Sequence, residues 1–427
     1  MTDARQPARR RTRSLRTGSL GALALAALLG ALAPPARAQG PAVQGPVISG
    51  DVVRIGVLAD MSTGMADNFG TGSVTAARLA LEDFGPTVLG KRIDLVSADH
   101  QSKPDVAMTL ARRWFDQDGV DMITDLDNSA IALGVQALAK EKGRLALITG
   151  SGSTVITGAQ CSPNGALWVI DTYALARTIA KPLVEGGEKS WFYVVADITL
   201  GKSFVADVTP VVTGGGGKVV GQVFHPLLSP DLSSQILQAQ GSNAGVIALF
   251  NVGGDAINAV KQASEFGVLG GRQKLAGFYM TAVDVRALGL PVAGGMYVAE
   301  AFYWDQDEAA RAFAKRFYER QRAMPNSYQA GVYSAVTHYL KAVREAGTDA
   351  PDAVMAKMRE LPIEDFMTKG GRLRPDGRVI RDVSLFQVKR PEESKGEWDL
   401  LKRVATLPGA EAFRPIEASD CPLVRKP

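Results

Sequence analysis

The sequence contains few of the side chains that most often carry catalysis or bind transition metals. It has 3 histidines and 2 cysteines in 427 residues. His100, His225 and His338 lack a second His or Cys at metal-ligand spacing, and only His100 has an acidic neighbour, Asp99. The G-x-S-x-G pattern of a hydrolase nucleophile is absent as well. We therefore expect no catalytic residues and no metal site.

Two glycine-containing stretches resemble nucleotide-binding loops but are incomplete. Gly201-Lys202-Ser203 would need a glycine at position 196, where the sequence has alanine. Gly70-Thr71-Gly72 lacks the third glycine of a dinucleotide fingerprint. We therefore expect no cofactor.

Long apolar runs are also missing after residue 39, so no membrane-spanning segment is expected in the mature chain. Residues 1–38 instead predict a removable signal peptide. They combine an arginine-rich start, an apolar stretch at 20–33 and the small-x-small cleavage signature Ala36-Arg37-Ala38. We expect cleavage after Ala38 and a location outside the cytoplasm, which would be the periplasm if the family resemblance described below holds. Arg9 to Arg11 leave a twin-arginine export route as the alternative to the general one.

The predicted signal peptide also accounts for the positive net charge of the whole chain. It holds seven arginines and one acid, so its removal changes the formal net charge from +4 to −2. No basic surface for nucleic acid or anionic lipid is therefore expected.

Strand and helix patterns alternate along the rest of the chain, which indicates an α/β fold with parallel sheets. Residues 52–58, VVRIGVL, form a continuous apolar run typical of a strand buried on both faces. Further strands are predicted at 93–98, 120–124, 145–148, 190–195, 218–223, 246–250, 275–278 and 296–299. Helices are predicted at 74–84, 106–115, 130–139, 204–212, 233–239, 256–266, 308–322, 327–345 and 353–360.

The length and the order of these elements predict two lobes. About 390 mature residues exceed what one hydrophobic core usually serves. The strand–helix series starts again after the loop around Cys161, and a hairpin-like tail surrounds Pro375-Asp376-Gly377. We assign, after a linker at 39–50, residues 51–170 with about 300–362 to lobe 1. Residues 171–299 with about 363–427 form lobe 2.

The two cysteines, Cys161 and Cys421, are expected to form one disulfide. An even, minimal count in an exported protein favours a disulfide over a metal site, and both lie in proline-containing loops. Two separate buried thiols are the alternative.

Polar loops follow several of the predicted strands, at 60–64, 127–129, 151–154, 197–200 and 251–255. Ligands of open α/β sheets bind beyond the carboxyl ends of the strands, where helix N-termini can hold anions. Each Ser, Asn or Asp could instead simply cap its helix. The candidate ligand-binding residues in these loops are Ser62, Asn128, Ser129, Ser151, Ser153, Thr199, Leu200 and Asp255.

Several segments resemble the solute-binding components of bacterial ABC importers, specifically the type I periplasmic, branched-chain amino-acid-binding (leucine-binding) family. They include ADMSTGMADNFGTGSVTAARLALEDFG (59–85), DNSAIALGVQALA (127–139) and YVVADITLGKS (193–203). The resemblance runs from about residue 52 to the C-terminus. It implies two Rossmann-like, doubly wound lobes, joined by a hinge of three crossings, that close over a small solute and deliver it to a membrane permease.

The resemblance also implies roles for the loop residues. Asn128, Ser129, Ser151 and Ser153 match loops that hold an amino acid's carboxylate in lobe 1, while Leu200 and Asp255 fall in the matching loops of lobe 2. The family commonly has an aromatic residue where this chain has Leu200. An altered ligand is therefore expected, either an amino acid, an aromatic acid or a small amide.

The expected protein is a monomeric, non-enzymatic binder of a small polar or carboxylated solute. A ligand-sensing module of a membrane receptor would share this fold and is one alternative. An exported hydrolase is the other, although the nucleophile, base and metal sets it would need are missing.

Overall fold

A computed structural model of the chain describes residues 47–424, and all contacts reported below lie in one compact unit of the chain. The predicted signal peptide and residues 39–46 of the predicted linker lie outside the described residues. No helix within 47–424 is both long and apolar enough to cross a membrane.

The first sheet is built from the N-terminal strand–helix series. Its strands are parallel except for one short edge strand, and they lie in the order β2-β3-β1-β4-β5-β6. The strands are β1 (Val52–Ala59), β2 (Thr87–Val88), β3 (Lys91–Asp99), β4 (Met122–Asp125), β5 (Leu145–Ile148) and β6 (Gly165–Leu167).

The second sheet is parallel from β8 to β11 and gains two antiparallel strands from the C-terminal part of the chain. The order is β15-β14-β11-β10-β9-β7-β8, and β12 pairs with β13 in a separate hairpin. The remaining strands are β7 (Ser190–Ala196), β8 (Lys218–His225), β9 (Val246–Phe250), β10 (Lys274–Gly277), β11 (Tyr297–Glu300), β12 (Arg372–Leu373), β13 (Val379–Ile380), β14 (Val383–Val388) and β15 (Leu401–Leu407).

Helices cover both faces of each sheet, and we call each sheet with its helices a lobe. The helices are α1 (Gly70–Phe84), α2 (Pro104–Asp116), α3 (Ser129–Lys142), α4 (Thr172–Leu175), α5 (Lys181–Glu185), α6 (Thr199–Gly214), α7 (Ser233–Gly241), α8 (Gly253–Glu265), α9 (Ala282–Leu288), α10 (Leu290–Ala293), α11 (Glu308–Gln321), α12 (Ser327–Ala346), α13 (Pro351–Glu360) and α14 (Gly409–Ala412). A π-helical turn, Ala176–Ala180, joins α4 to α5. The predicted two-lobed α/β fold is confirmed.

Side chains of β1 alternate between two apolar cores, as expected for a strand covered on both faces. Val53, Ile55 and Val57 contact the core beneath α1 and α12, whereas Leu58 belongs to the core beneath α2 and α3. Gly56 makes room for an aromatic ring on the second face, because a Cβ there would lie 2.6 Å from the Trp114 ring. The register of this central strand therefore depends on both cores.

The C-terminal tail is tied to the first lobe. Cys161 follows β5 in lobe 1, Cys421 lies beyond β15, and the two form a disulfide with their Cα atoms 5.6 Å apart. The predicted pairing is therefore confirmed in the structure. The bond joins the end of the chain to a loop 260 residues earlier.

Glu300 connects elements of the two lobes at the end of β11. Its carboxylate accepts a hydrogen bond from the Ala282 amide at 2.9 Å, at the start of α9, and another from the Ser327 hydroxyl, at the start of α12. Burial raises the pKa of Glu300 to about 8, although both hydrogen bonds act in the opposite direction.

Replacing both cysteines, Cys161→Ala with Cys421→Ala, should lower the free energy of unfolding by up to about 5 kcal/mol, because the unfolded chain would lose a very long closed loop. Denaturant unfolding of the wild type and the double variant measures this loss. The denatured, unreduced wild type should show no free thiol on titration. Two titrating thiols would contradict the pairing.

Glu300→Gln should flatten the pH dependence of stability. The folded state holds the Glu300 proton more tightly than the unfolded chain, so wild-type stability should fall as pH rises from about 4.5 to about 8. The slope from this one group approaches about 1.4 kcal/mol per pH unit. Chemical unfolding across this range should show a shallower slope for Glu300→Gln and an unchanged slope for the exposed control Glu319→Gln. Equal slopes in all three proteins would exclude this role.

Candidate functional site

Loops at the carboxyl ends of the strands face each other across a cleft between the lobes, and they touch at several points. The Gly254 amide donates to the Gly64 carbonyl at 3.0 Å. The Tyr279 hydroxyl of lobe 2 donates to the Gly150 carbonyl of lobe 1 at 2.7 Å. The hydroxyls of Ser153 and Ser203 lie 2.7 Å apart. The lobes are therefore closed on each other.

A cavity of about 330 Å³ remains between the closed lobes. This volume lies within the range of small-molecule sites. Both lobes contribute polar and apolar residues. Those of lobe 1 are Met65, Ser102, Pro104, Asp127, Asn128, Ser129 and Ala130. Those of lobe 2 are Asp197, Ile198, Thr199, Leu200, Lys202, Leu227 and Val252, and four of these are apolar.

Three helices begin at this cavity. Asn128 caps α3, and its side-chain oxygen accepts from the Ala130 amide at 2.9 Å. In contrast, neither α6, which begins at Thr199, nor α8, which follows Val252, has a side-chain cap among the described residues. Uncapped helix starts expose amide donors and the positive end of the helix dipole. The cavity is therefore suited to an anionic group.

The chain enters α3 through a strained turn. Asp125 and Leu126 have φ angles of 76° and 60°, which are uncommon for residues other than glycine. The turn places the Ser129 side chain at the cavity, where it is 4% exposed. Within residues 47–424 the Ser129 hydroxyl has no hydrogen-bond partner. It is free to donate to a bound solute.

Asp127 joins a buried group of ionisable side chains behind the cavity. Its Oδ2 accepts from the Asp60 amide at 2.6 Å and lies 3.4 Å from His100 Nε2. Burial alone would lower the pKa of His100, but the neighbouring Asp127 carboxylate raises it above the usual value. Burial, and then the charge of Asp127, raise the pKa of Asp125.

The other carboxylate oxygen of Asp127, Oδ1, has no partner among the described residues, although Asp127 lines the cavity. An unpaired buried carboxylate oxygen favours a solute that carries a hydrogen-bond donor. Sequence reasoning noted this loop but did not select Asp127. Its position directly before the Asn128 cap was the available signal. No group of three or more metal-ligating side chains occurs in the described part of the chain.

The structure brings four of the predicted ligand residues together at the cavity, namely Asn128, Ser129, Thr199 and Leu200. The other lobe 1 candidates lie elsewhere. The Ser62 hydroxyl is occupied by Asp99 Oδ2 at 2.5 Å. Ser151 is buried and does not line the cavity, and no described residue forms a hydrogen bond with its hydroxyl. Ser153 contacts Ser203 and so bridges the lobes.

Asp255 makes a contact that neither sequence interpretation anticipated. It is the third residue of α8, and its carboxylate accepts from the Leu228 amide at 2.9 Å instead of capping the helix. The capping alternative is therefore wrong. Burial raises the pKa of Asp255 to about 6. This carboxylate fixes the loop that contributes Leu227 to the cavity wall.

A larger cavity of about 510 Å³ adjoins the first along α6. It is lined by arginines and aspartates that pair with one another. Arg414 lies 2.7 Å from Asp207, and Arg378 lies 3.5 Å from Asp171. Because these charges are already paired, they are not free to bind a charged solute.

Gly253→Ala should prevent full closure of the lobes. Gly253 has a φ of +49°, and a Cβ there would lie 2.3 Å from the Gly64 carbonyl oxygen. At Gly254 the nearest atom would be 3.8 Å away, so Gly254→Ala is a matched control. In solution scattering at saturating solute, Gly253→Ala should keep a larger radius of gyration than the wild type and the control. Equal radii for all three proteins would show that this contact does not govern closure.

Known structures share this architecture. A periplasmic binding protein from Burkholderia mallei is 43% identical, with 88% of this chain and 100% of that chain covered and a TM-score of 0.85. A Burkholderia xenovorans protein, described as a branched chain amino acid ABC transporter periplasmic ligand-binding protein, is 42% identical, with 87% and 100% covered and a TM-score of 0.80.

A more distant relative shares the fold alone. This solute-binding protein from Rhodopseudomonas palustris, solved in complex with benzoate, is 19% identical, with 83% and 96% of the chains covered and a TM-score of 0.75. No curated protein matches the sequence. Residues 52–397 match the model of the family described as periplasmic binding protein. With two closed lobes, a cavity between them and this match over most of its length, the chain belongs to the periplasmic binding protein family.

Proposed function

We propose that this protein is the solute-capturing component of an ABC importer and that the solute binds in the 330 Å³ cavity between the lobes. The observation that carries this proposal is the convergence of three helix N-termini on a cavity that both lobes line. A solute that contacts both lobes only when they are closed would favour closure. Binding, without turnover, is then the expected activity.

The chemistry of the lining defines the class of solute. A carboxylate would bind at the uncapped start of α6 and accept a hydrogen bond from the Ser129 hydroxyl. An apolar body would pack against the lobe 2 wall. A hydroxyl or ammonium group could donate to the free oxygen of Asp127. Small apolar amino acids and hydroxylated aromatic acids both meet these three requirements.

Membership of the family supports the proposed role in ABC import. The Burkholderia xenovorans relative, at 42% identity, is described as a periplasmic component of an ABC transporter. By analogy, this chain would lose its leader after Ala38, act in the periplasm as a monomer and deliver its solute to a membrane permease. The predicted domain limits, 51–170 with about 300–362 and 171–299 with about 363–427, belong to the same proposal.

Ser129→Ala should weaken solute binding by about 1 to 2 kcal/mol, because the variant loses one hydrogen bond to a charged group. A thermal-shift screen of amino acids and aromatic acids identifies the solute, since a compound that binds only the folded state raises the melting temperature. Calorimetry then compares the wild type with Ser129→Ala. The exposed surface variant Ser234→Ala serves as the control and should bind normally.

Two results would contradict the proposal. The first is tight binding of a carboxylated solute that is equally strong in the wild type and in Ser129→Ala. The second is chemical conversion of the solute during prolonged incubation, which would indicate an enzyme.

A further inference from the structure

A second, smaller cavity lies outside the cleft and contains a buried arginine. The cavity has a volume of about 220 Å³, and Arg381, which lines it, is 4% exposed. None of the three guanidinium nitrogens of Arg381 has a hydrogen-bond partner within residues 47–424. A buried cation without a partner costs folding free energy. This arrangement therefore points to a missing anionic partner.

The nearest acid does not fill that role. The charge of Asp365 acts on Arg381, but Asp365 Oδ1 already accepts from the amides of Met367 and Thr368, both at 2.8 Å. Burial lowers the pKa of Arg381 to about 10, so the guanidinium stays charged near neutral pH.

Other groups that line the cavity suit an anion as well. The Thr368 hydroxyl is buried and has no partner in the described chain. Lys369 and Arg403 are exposed and contribute two more positive charges. Two carboxylates also line the cavity, and each accepts a hydrogen bond from a backbone amide. Asp307 accepts from Ala310 at 2.8 Å, and Asp382 accepts from Gly409 at 2.9 Å.

We propose that this cavity binds a compact oxyanion, held by the Arg381 guanidinium and the Thr368 hydroxyl. A guanidinium presents several donors in one plane and can bind two oxygens of such an anion at once. Inorganic sulfate or phosphate and a small carboxylate share this chemistry. The site is separate from the cleft and does not rest on the function proposed above.

The position of the cavity gives the anion a structural role. One wall comes from residues 301–307, which lead from β11 to α11, and the other from residues 361–382, which lead from α13 to β14. Both segments pass from one lobe to the other. An anion held here would join two crossings of the hinge.

The test measures thermal unfolding of the mature protein in sulfate, phosphate or acetate against chloride at constant ionic strength. The wild type should gain stability along a saturating curve, and the anion that saturates at the lowest concentration identifies the class. Arg381→Met should lose this saturable gain, yet be at least as stable as the wild type in chloride, because it removes an unpaired buried charge. The exposed variant Arg112→Met should behave as the wild type does. The general salting effect of sulfate does not saturate and should be equal in all variants.

Calorimetry with inorganic phosphate provides the second readout. Arg381→Met should bind phosphate about ten- to a hundredfold more weakly than the wild type, as expected for the loss of charge-assisted hydrogen bonds. Thr368→Val should also weaken binding, and it keeps the test decisive if Arg381→Met fails to fold.

Three outcomes would overturn the proposal. One is the absence of saturable anion binding by the wild type, in calorimetry and in unfolding. Another is wild-type affinity in both cavity variants. The third is loss of anion binding in Ser129→Ala but not in the cavity variants, which would place the anion in the cleft and leave the solute proposal unaffected.

Discussion

The parallel direction of the strands is the constraint on which the cleft depends. In each lobe it brings the helix starts to the edge where the strands end, and the two edges face each other. The starts of α3, α6 and α8 therefore converge on the cavity, where the charged side chains of Asp127, Asp197 and Lys202 also lie. The one lysine at the cavity, Lys202, is paired with Asp197 at 2.9 Å. Backbone dipoles are thus the main source of unpaired positive potential at the cavity.

The contact between the closed lobes involves glycines on both sides of the cleft, and the buried Asp255 carboxylate lies next to it. Gly64 and Gly254 allow backbone to meet backbone across the cleft, and Gly253 has no side chain that would keep them apart. The Asp255 carboxylate accepts from the Leu228 amide and so fixes the loop that carries Leu227. The start of α8 therefore positions both this part of the cavity wall and the contact between Gly254 and Gly64. The solute would meet a wall whose position is set by contacts made within lobe 2 alone.

Much of this architecture could be predicted from the sequence, because the buried strands are continuous apolar runs. The strands predicted at 52–58 and 246–250 match β1 and β9 closely, and the presence of only two cysteines left one possible intramolecular pairing. The start of α6 was missed, since the apolar pattern begins at Phe204 while the helix begins at Thr199, in a segment that contains glycine and polar residues. The helical segment from α4 to α5 was missed too, because it is broken by a π-helical turn.

The contacts that define the site were beyond sequence reasoning for a different reason. Asp255 and Leu228 are 27 residues apart, and Tyr279 reaches Gly150 across 129 residues. No local spacing encodes such pairs, so Asp255 was assigned either to the solute or to its own helix. Loop residues could be selected by their place after strands, but only the structure separates those that line the cavity, such as Ser129, from those that do not, such as Ser151.

Amide hydrogen exchange, with and without the solute found by screening, reports on the backbone donors themselves. Bound solute should slow exchange at the starts of α3, α6 and α8, around Ser129, Thr199 and Gly253, and leave exchange in the distant edge strand β15 unchanged. Protection confined to one lobe, or its absence at the start of α6, would contradict the proposal that helix N-termini from both lobes hold the solute.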